Sequence, residues 1–257
     1  MKNDTIITCS IVLFEENLSD LYKTVHCFLK IPLHSKLFLI DNTPSKFYEY
    51  LFNNERIEYI ATEKNIGFGA AHNLILDKIK EHSDFHLVLN PDVFFNESVI
   101  PNLIDELKKD DDVIMIAPKV LFLNGDHQYS CRRYPSIIEL IVRRFYFLKP
   151  VFKNIIYKGE YREKDLTKPF LAEYLTGCFQ LYKTSEFIKL NGFDERYFLY
   201  MEDVDICKKI DIIGKRKLYY PKEEIVHILK QGSLKNLNLF FNHLFSAIKY
   251  FLKWGIK

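Results

Sequence analysis

The sequence predicts an α/β fold: an open, mostly parallel central sheet with helices on both faces. Three observations carry this. Across roughly the first 120 residues, β-rich apolar runs alternate with segments of helical spacing. The first run, Ile6–Phe14, is nearly continuous in apolar character, as a strand covered on both faces requires. The chain has 257 residues, 48% of them hydrophobic, which suffices for a sizeable core and excludes global disorder.

The elements follow in order. After the strand Ile6–Phe14, Leu18–Leu29 carries helical spacing through Leu18, Leu21, Val25 and Phe28, with Ser19 and Asp20 near its start. Leu37–Ile40 is a short strand running into the breaker Asp41-Asn42-Thr43-Pro44, and Ile57–Ala61 is another strand. Gly69–Ile79 reads as a helix, Phe85–Leu89 as a strand ending in Asn90-Pro91-Asp92, and Val99–Leu107 as a helix. Val113–Ala117 is a strand after the solvated acidic turn Asp110–Asp112. Beyond Gly125 the period is lost, and Cys131–Pro169 mixes basic and aromatic residues. A strand near Phe179–Tyr182, a helix from about Ser185, a helix ending near Ile213 and a strong helical segment Leu234–Lys257 complete the chain. No repeat or linker divides it, so the expectation is one domain, with halves 1–125 and 171–233, a basic insertion at 126–170 and an end helix at 234–257.

The net charge is +2, which excludes a uniformly basic nucleic-acid binder. The sum conceals a partition. Residues 131–169 hold ten Lys/Arg against four acids, a net of +6, and residues 225–257 hold five lysines and no acid, so the remainder carries −9. Five scattered cysteines without CxxC or Cys/His spacing argue against a zinc site or a disulfide framework and fit a reducing compartment. The apolar stretch Thr5–Phe14 is too short to span a membrane, and no run of 18 apolar residues occurs.

Ligands of open parallel sheets bind beyond the carboxyl ends of the strands. Three such ends carry polar residues: Phe14-Glu15-Glu16, Asp41-Asn42 and Asn90-Pro91-Asp92. The turn Asn65–Asn73 contains Gly67 and Gly69 and opens a helix whose N–H groups can face a phosphate. It lacks the GxGxxG fingerprint because His72 stands at the third glycine, and no GxxxxGK[ST] exists, so dinucleotide oxidoreductases and P-loop NTPases are disfavoured. Asp92 is a hard carboxylate suited to Mg²⁺ or Mn²⁺ held jointly with a diphosphate. The densest cluster is Gly192–Asp205. On a helix, Glu202 and Asp205 share a face while Asp203 points about 100° away, and acids there also complement the helix dipole. The dipole is expected to lower a carboxylate pKa at this position.

Together these words resemble the family 2 glycosyltransferases of GT-A fold, in particular the rhamnosyltransferase-like subgroup. The matching words are Ser10–Phe14, Leu39–Asn42, Asn65–Asn73, Leu89–Asp92, Thr176–Phe179, Gly192–Glu195 with Glu202–Asp205, and His227 with Gly232-Ser233. The resemblance implies an inverting, metal-dependent transfer from a nucleoside-diphosphate sugar. It implies that Phe14, Glu16, Asp41, Asn65, Gly67, Asn73, Asn90 and Asp92 line the donor site, with Mg²⁺ or Mn²⁺ on Asp92. Asp203 is implied as catalytic base, with Thr176, Gly177 and Glu202 on the acceptor side. His227 is either a further metal ligand or a strand-end histidine. Two words depart from the family pattern. Phe14-Glu15-Glu16 stands where many relatives carry Tyr-Asn, and the residues around His227 are bulkier than the usual glycine-rich version. Two other readings stay open: a sugar-phosphate nucleotidyltransferase, or a non-catalytic membrane-associated scaffold of the same fold.

In the end helix, Asn238, Asn242, Ser246, Lys249, Lys253 and Lys257 fall on one face. Either this is a basic amphipathic helix lying in an anionic membrane surface, or it packs on the domain with its lysines in water. The basic insertion is a second candidate contact for an anionic lipid diphosphate. The expected acceptor is a growing, polyprenyl-diphosphate-linked glycan, and the expected location is cytoplasmic, peripheral at the inner face of the membrane.

Overall fold

The structure, a computed structural model, describes residues 5–45, 48–148, 150–228 and 237–256. Lys149, Gly232, Ser233, Lys257 and residues 234–236 lie outside the described residues. The sheet is built from β1 (Ile6–Leu13), β2 (His34–Asp41), β3 (Ile57–Ala61), β4 (Phe85–Leu89), β5 (Val93–Phe94), β6 (Val113–Leu121), β8 (Phe170–Leu171), β10 (Phe179–Lys183) and β11 (Arg216–His227). Its order is β3-β2-β1-β4-β10-β6-β11-β5, with β8 also paired to β11. β1, β2, β3, β4, β6 and β11 share one direction, because β10 runs antiparallel to both β4 and β6 while β11 is parallel to β6. A small antiparallel pair, β7 (Cys131–Arg132) and β9 (Tyr174–Leu175), stands beside the sheet.

Alternation along β1 sets the layers. Ile7, Cys9, Ile11 and Leu13 face a core closed by α1 (Leu18–Leu29) and α4 (Val99–Leu107). The opposite face of the sheet packs on α2 (Phe68–Asn73), α3 (Leu76–Lys80), α7 (Thr184–Lys189) and α8 (Glu202–Ile212). That second face buries Thr8 and Ser10, which are paid off internally: Thr8 Oγ1 meets His86 Nδ1 at 2.9 Å, and Ser10 Oγ meets His86 Nε2 at 2.9 Å and His72 Nδ1 at 2.7 Å. Burial pushes His86 down to about 3, so these imidazoles are neutral packing groups.

Three sequence expectations change. The single helix Gly69–Ile79 is two, α2 and α3, interrupted at Leu74-Ile75; Asn73, the last residue of α2, clips that end to Phe193. His227 does end a strand, as one of its two readings has it, but the length of β11 is not legible in the sequence: Lys217 occupies a buried position of the strand and Pro221 falls within a register shift. Lys217 is satisfied by Asp211 and by the Cys207 carbonyl at 3.1 Å. The basic insertion is ordered into α5 (Ile137–Arg144) and α6 (Lys153–Gly159). Buried Glu139 and Glu160 hold Arg143 at 2.8 and 3.0 Å, and Glu160 also holds Arg162 at 2.6 Å. Gly159 lies where a Cβ would meet Glu139 Oε1 at 2.7 Å. Arg143 and Arg162 are therefore paired within the insertion, and its net positive charge remains.

Candidate active site

The carboxyl ends of β1, β2, β4 and β11 gather the polar residues anticipated there. At the end of β2, buried Asp41 accepts the Thr43 N–H at 2.8 Å and the Tyr59 hydroxyl on its other oxygen. Burial, then the Asp41 hydrogen bond and charge, raise the Tyr59 pKa. Asn42 reaches from the same end to the Gly67 carbonyl at 3.1 Å and to Asn65 Oδ1 at 3.3 Å, while Asn65 Oδ1 accepts the Gly67 N–H at 2.9 Å. The glycine turn is thus tied to β2. Phe14 is exposed beyond β1 and Glu16 is half-buried, its backbone bonded to the Tyr48 hydroxyl. Asn73 is spent elsewhere: its amide bonds both N–H and C=O of Phe193 at 2.9 Å, and Glu195 at 3.0 Å.

Asp92 and His227 face each other. Asp92 Oδ1 is 3.4 Å from His227 Nε2, and Asn90 Nδ2 lies 3.4 Å from the same nitrogen. On the far side of the ring, Gln128 donates to the His227 carbonyl, which turns its Oε1 toward Nδ1 at 3.0 Å. Nδ1 therefore carries a proton, and Nε2 is the atom turned toward Asp92. Burial opposes charge on this imidazole, but the Cys178 sulfur and Asp92 outweigh it and push His227 up to about 10. Donors at cis positions around a cation with bonds of ~2.1 Å lie about 3 Å apart, close to the 3.4 Å observed. Asp92 and His227 would hold a divalent cation only with the Nε2 proton displaced, which leaves that nitrogen as an electron-pair donor beside the carboxylate. Among the described residues no three His, Cys, Asp or Glu side chains are grouped to hold a metal, so such an ion would complete its shell with water and phosphate oxygens.

Asp203, one residue into α8, is half-buried. Its Oδ2 accepts the Gly177 N–H at 2.9 Å and the Tyr174 hydroxyl at 3.0 Å, while Oδ1 accepts the Val204 N–H at 2.9 Å. Gly177 is close enough that a Cβ would meet Asp203 Cβ at 3.3 Å. Withdrawal from water raises the Asp203 pKa, against the lowering effect of these donors and of Arg132. The expected depression by the helix terminus is thus overturned: burial wins. Glu202 is buried and its Oε2 has no hydrogen-bond partner among the described residues; burial and then the Asp203 charge push its pKa well up. Burial thus raises the pKa of both carboxyls, Glu202 the further of the two, because Asp203 keeps three hydrogen-bond donors and Glu202 Oε2 has none among the described residues. Asp205 is a structural member of the cluster, fully buried against Lys253, Trp254 and Tyr197. Thr176 lies in the same turn, its hydroxyl 3.5 Å from the Cys178 sulfur.

The two halves of the site meet at Gly177-Cys178. Gly177 holds Asp203, while Cys178 flanks His227 and its carbonyl accepts the Asn90 N–H at 2.9 Å. Before α8, Tyr200 and Met201 are both left-handed at φ 68° and 70°, a strained turn that aims the acidic helix start. Tyr174, Gln128 and Arg132 were not singled out from the sequence, since each acts through a partner remote in the chain. Arg132 pairs with Tyr174 across the β7–β9 ladder, so their side chains share a face. Its Nε donates to the Tyr129 carbonyl at 2.8 Å, and its terminal nitrogens have no hydrogen-bond partner among the described residues.

Such a sheet, with a glycine turn and an acidic helix start at its carboxyl edge, is the layout expected of a GT-A fold. The model for Glycosyl transferase family 2 matches residues 11–191. The chain belongs to that family. It is 26% identical over 229 residues to rhamnosyltransferase WbbL of Escherichia coli (strain K12), covering 84% of this chain and 82% of that one. It is 28% identical over 183 residues to an N-acetylglucosaminyl-diphospho-decaprenol L-rhamnosyltransferase of Mycobacterium tuberculosis, covering 66% of this chain and 58% of the relative's length. Among solved structures, GalNAc-T7 with UDP, GalNAc and Mn²⁺ superposes with a TM-score of 0.63 over 87% of this chain and 43% of that one, at 18% identity; this likeness is one of fold.

Proposed function

We propose that this chain transfers a sugar, rhamnose in the first instance, from a nucleoside-diphosphate donor to a hydroxyl of a polyprenyl-diphosphate-linked glycan, with inversion. The observation that carries the reading is the junction at Gly177-Cys178, which joins a held carboxylate to the Asp92–His227 pair. The names of the relatives supply the sugar and, from the mycobacterial one, the lipid-diphosphate acceptor.

In this reading Asp203 Oδ1, which accepts only one hydrogen bond among the described residues, takes the proton of the acceptor hydroxyl. The freed oxygen attacks C1 of the donor sugar from the face opposite the diphosphate, the C1–O bond breaks, and the nucleoside diphosphate leaves with the electron pair. A carboxylate whose pKa lies above its ordinary value is the stronger base for this step. Asp92 and His227 would hold Mg²⁺ or Mn²⁺, and such an ion, when bound, neutralises diphosphate charge. Asp41, Asn65 and Gly67 frame the nucleotide, with Phe14 and Glu16 at the rim. The Arg132 fork suits an acceptor phosphate, since a guanidinium binds phosphate in bidentate fashion.

The test is a panel of UDP-, dTDP- and GDP-linked sugars, rhamnose included, with a polyprenyl-diphosphate-linked acceptor and either Mg²⁺, Mn²⁺ or a chelator. Product of inverted anomeric configuration, lost with the chelator, is the expected result. No transfer from any donor, with pyrophosphate released from a sugar phosphate and a nucleoside triphosphate, would replace this reading with a nucleotidyltransferase.

A further inference from the structure

The C-terminal helix α9 (Leu237–Trp254) sits the opposite way round from a surface helix of a soluble domain. Its polar residues face the protein. Ser246 Oγ donates to the Leu199 carbonyl at 2.9 Å, Lys249 to the Arg196 carbonyl at 2.6 Å, and Lys253 to Asp194 and Asp205 at 2.8 Å. Trp254 Nε1 donates to Asp205 at 2.7 Å, and Tyr250 is buried beside it. Lys249 and Lys253, which the sequence leaves either in water or at a membrane, are thus committed to the body. What faces outward is Phe241, Leu244, Phe245, Ile248 and Leu252, the last 82% exposed. Their +3/+4 spacing makes one continuous apolar stripe.

The stripe does not end with the helix. The Arg144 guanidinium stacks on the Phe240 ring at 4.4 Å, which brings the end of α5 against the start of α9. From there Ile141, Phe145, Phe147 and Val151 continue the exposed apolar surface, Phe147 and Val151 about three-quarters exposed. The only acid in residues 137–158 is Glu139, buried and paired with Arg143, and residues 237–256 contain none. Exposed Lys153 and Lys158 lie on α6, next in the chain. A contiguous apolar face of this kind, flanked by cations and free of exposed acids, is complementary to an anionic lipid headgroup layer over acyl chains. No helix among the described residues is long and apolar enough to cross a membrane, so the helix would lie in the interface.

We propose that the outer face of α9, continued by α5 and by Phe145, Phe147 and Val151, docks flat on an anionic bilayer. This rests on the surface alone and stands or falls independently of the proposed acceptor. Because α9 is bolted to Asp205 of α8 and to Leu199 in the turn before it, docking fixes the acidic end of α8 relative to the membrane.

The test is co-sedimentation of the full chain with phosphatidylglycerol-containing and with pure phosphatidylcholine vesicles. The native protein is compared with the double variant Phe245→Glu, Leu252→Glu. Trp254 is the sole tryptophan of the chain, so its emission reports whether α9 remains seated on Asp205 in the variant. The expected result is binding to anionic vesicles that weakens with salt and falls at least ~10-fold in the variant at unchanged Trp254 emission. Equal binding of both proteins, or a native protein that stays in the supernatant, overturns the proposal. So does a concentration-dependent dimer that the variant abolishes without any vesicle binding, since the face would then pair with a second copy.

Discussion

The Gly177 backbone N–H donates to Asp203 Oδ2 across 2.9 Å, in a space that admits no side chain without contact: a Cβ on residue 177 would stand 3.3 Å from Asp203 Cβ. The carboxylate is positioned by a backbone group, and the glycine is what allows the approach. Gly177→Ala is therefore expected to displace Asp203 by a few tenths of an ångström. Small misplacements of reacting groups are costly, so kcat should fall by about 10-fold while the melting temperature stays within a few degrees. A transfer assay alongside a thermal melt separates the two effects; an unchanged kcat would show that Asp203 is not held through Gly177.

Asp203→Asn keeps the shape and removes the base. Transfer should drop by about 10²–10⁴-fold, the usual worth of a positioned general base, while affinity for the nucleoside diphosphate by calorimetry is unchanged. Full activity in this variant would move the base elsewhere.

Tyr174→Phe tests the charge state of Asp203 through a residue that touches it without needing to touch substrate. The Tyr174 hydroxyl donates to Oδ2 and so favours the ionised carboxylate. Removing that donor raises the Asp203 pKa further. Because the base works only when ionised, the acid limb of kcat/KM should move to higher pH, with the rate recovering at alkaline pH. A uniform loss at every pH would mark Tyr174 as merely structural.

Most of the parallel half was legible because its signals are local. The bounds of α1, β3, β4 and α4 follow directly from apolar period and flanking breakers. What escaped depends on long-range partners. β11 hides behind Lys217, a charge made tolerable by Asp211 and the Cys207 carbonyl. The insertion's helices lack a visible period because their buried positions include Glu139, satisfied by Arg143. In the site, helical phase alone set Asp203 apart from Glu202 and Asp205, but the sign of the pKa shift was not legible, since it is set by burial that only packing reveals. The C-terminal stripe was visible as two faces; which one meets the body was decided by Asp194 and Asp205, some fifty residues upstream.

Gln128→Leu addresses the cation site without touching its ligands. Gln128 fixes the His227 ring by bonding both its carbonyl and Nδ1. Partners of this kind are worth about 10–100-fold in metal affinity. Titrating Mn²⁺ in the presence of a nucleoside diphosphate, with thermal shift as readout, should give a correspondingly weaker apparent affinity than in the native protein. Asp92→Ala should abolish the cation-dependent part of the shift altogether. A native protein whose nucleotide binding ignores the cation would remove Asp92 and His227 from that role.

Gly67→Ala should be markedly damaging although it lies outside the core. Gly67 has φ 95° and ψ 170°, a region that is accessible to glycine almost alone. Its pro-Cβ direction also points at the Phe198 carbonyl, where a methyl would sit 2.4 Å from the oxygen. That carbonyl is not free to retreat, because it accepts the Phe68 N–H at 3.0 Å and belongs to the turn that leads into α8. Strain and clash together should cost about 3 kcal/mol, a loss of roughly 6–12 °C in melting temperature for a domain of this size. Gly125→Ala isolates the first part. Gly125 is left-handed at φ 85° but has nothing within 4 Å of its pro-Cβ, so only backbone strain is introduced and the melting temperature should fall much less. Equal losses at the two positions would mean that the Phe198 contact contributes nothing. A larger loss at Gly67, accompanied by weakened nucleotide affinity, is the expected outcome, because the same turn is bonded through Asn42 and Asn65 to the end of β2.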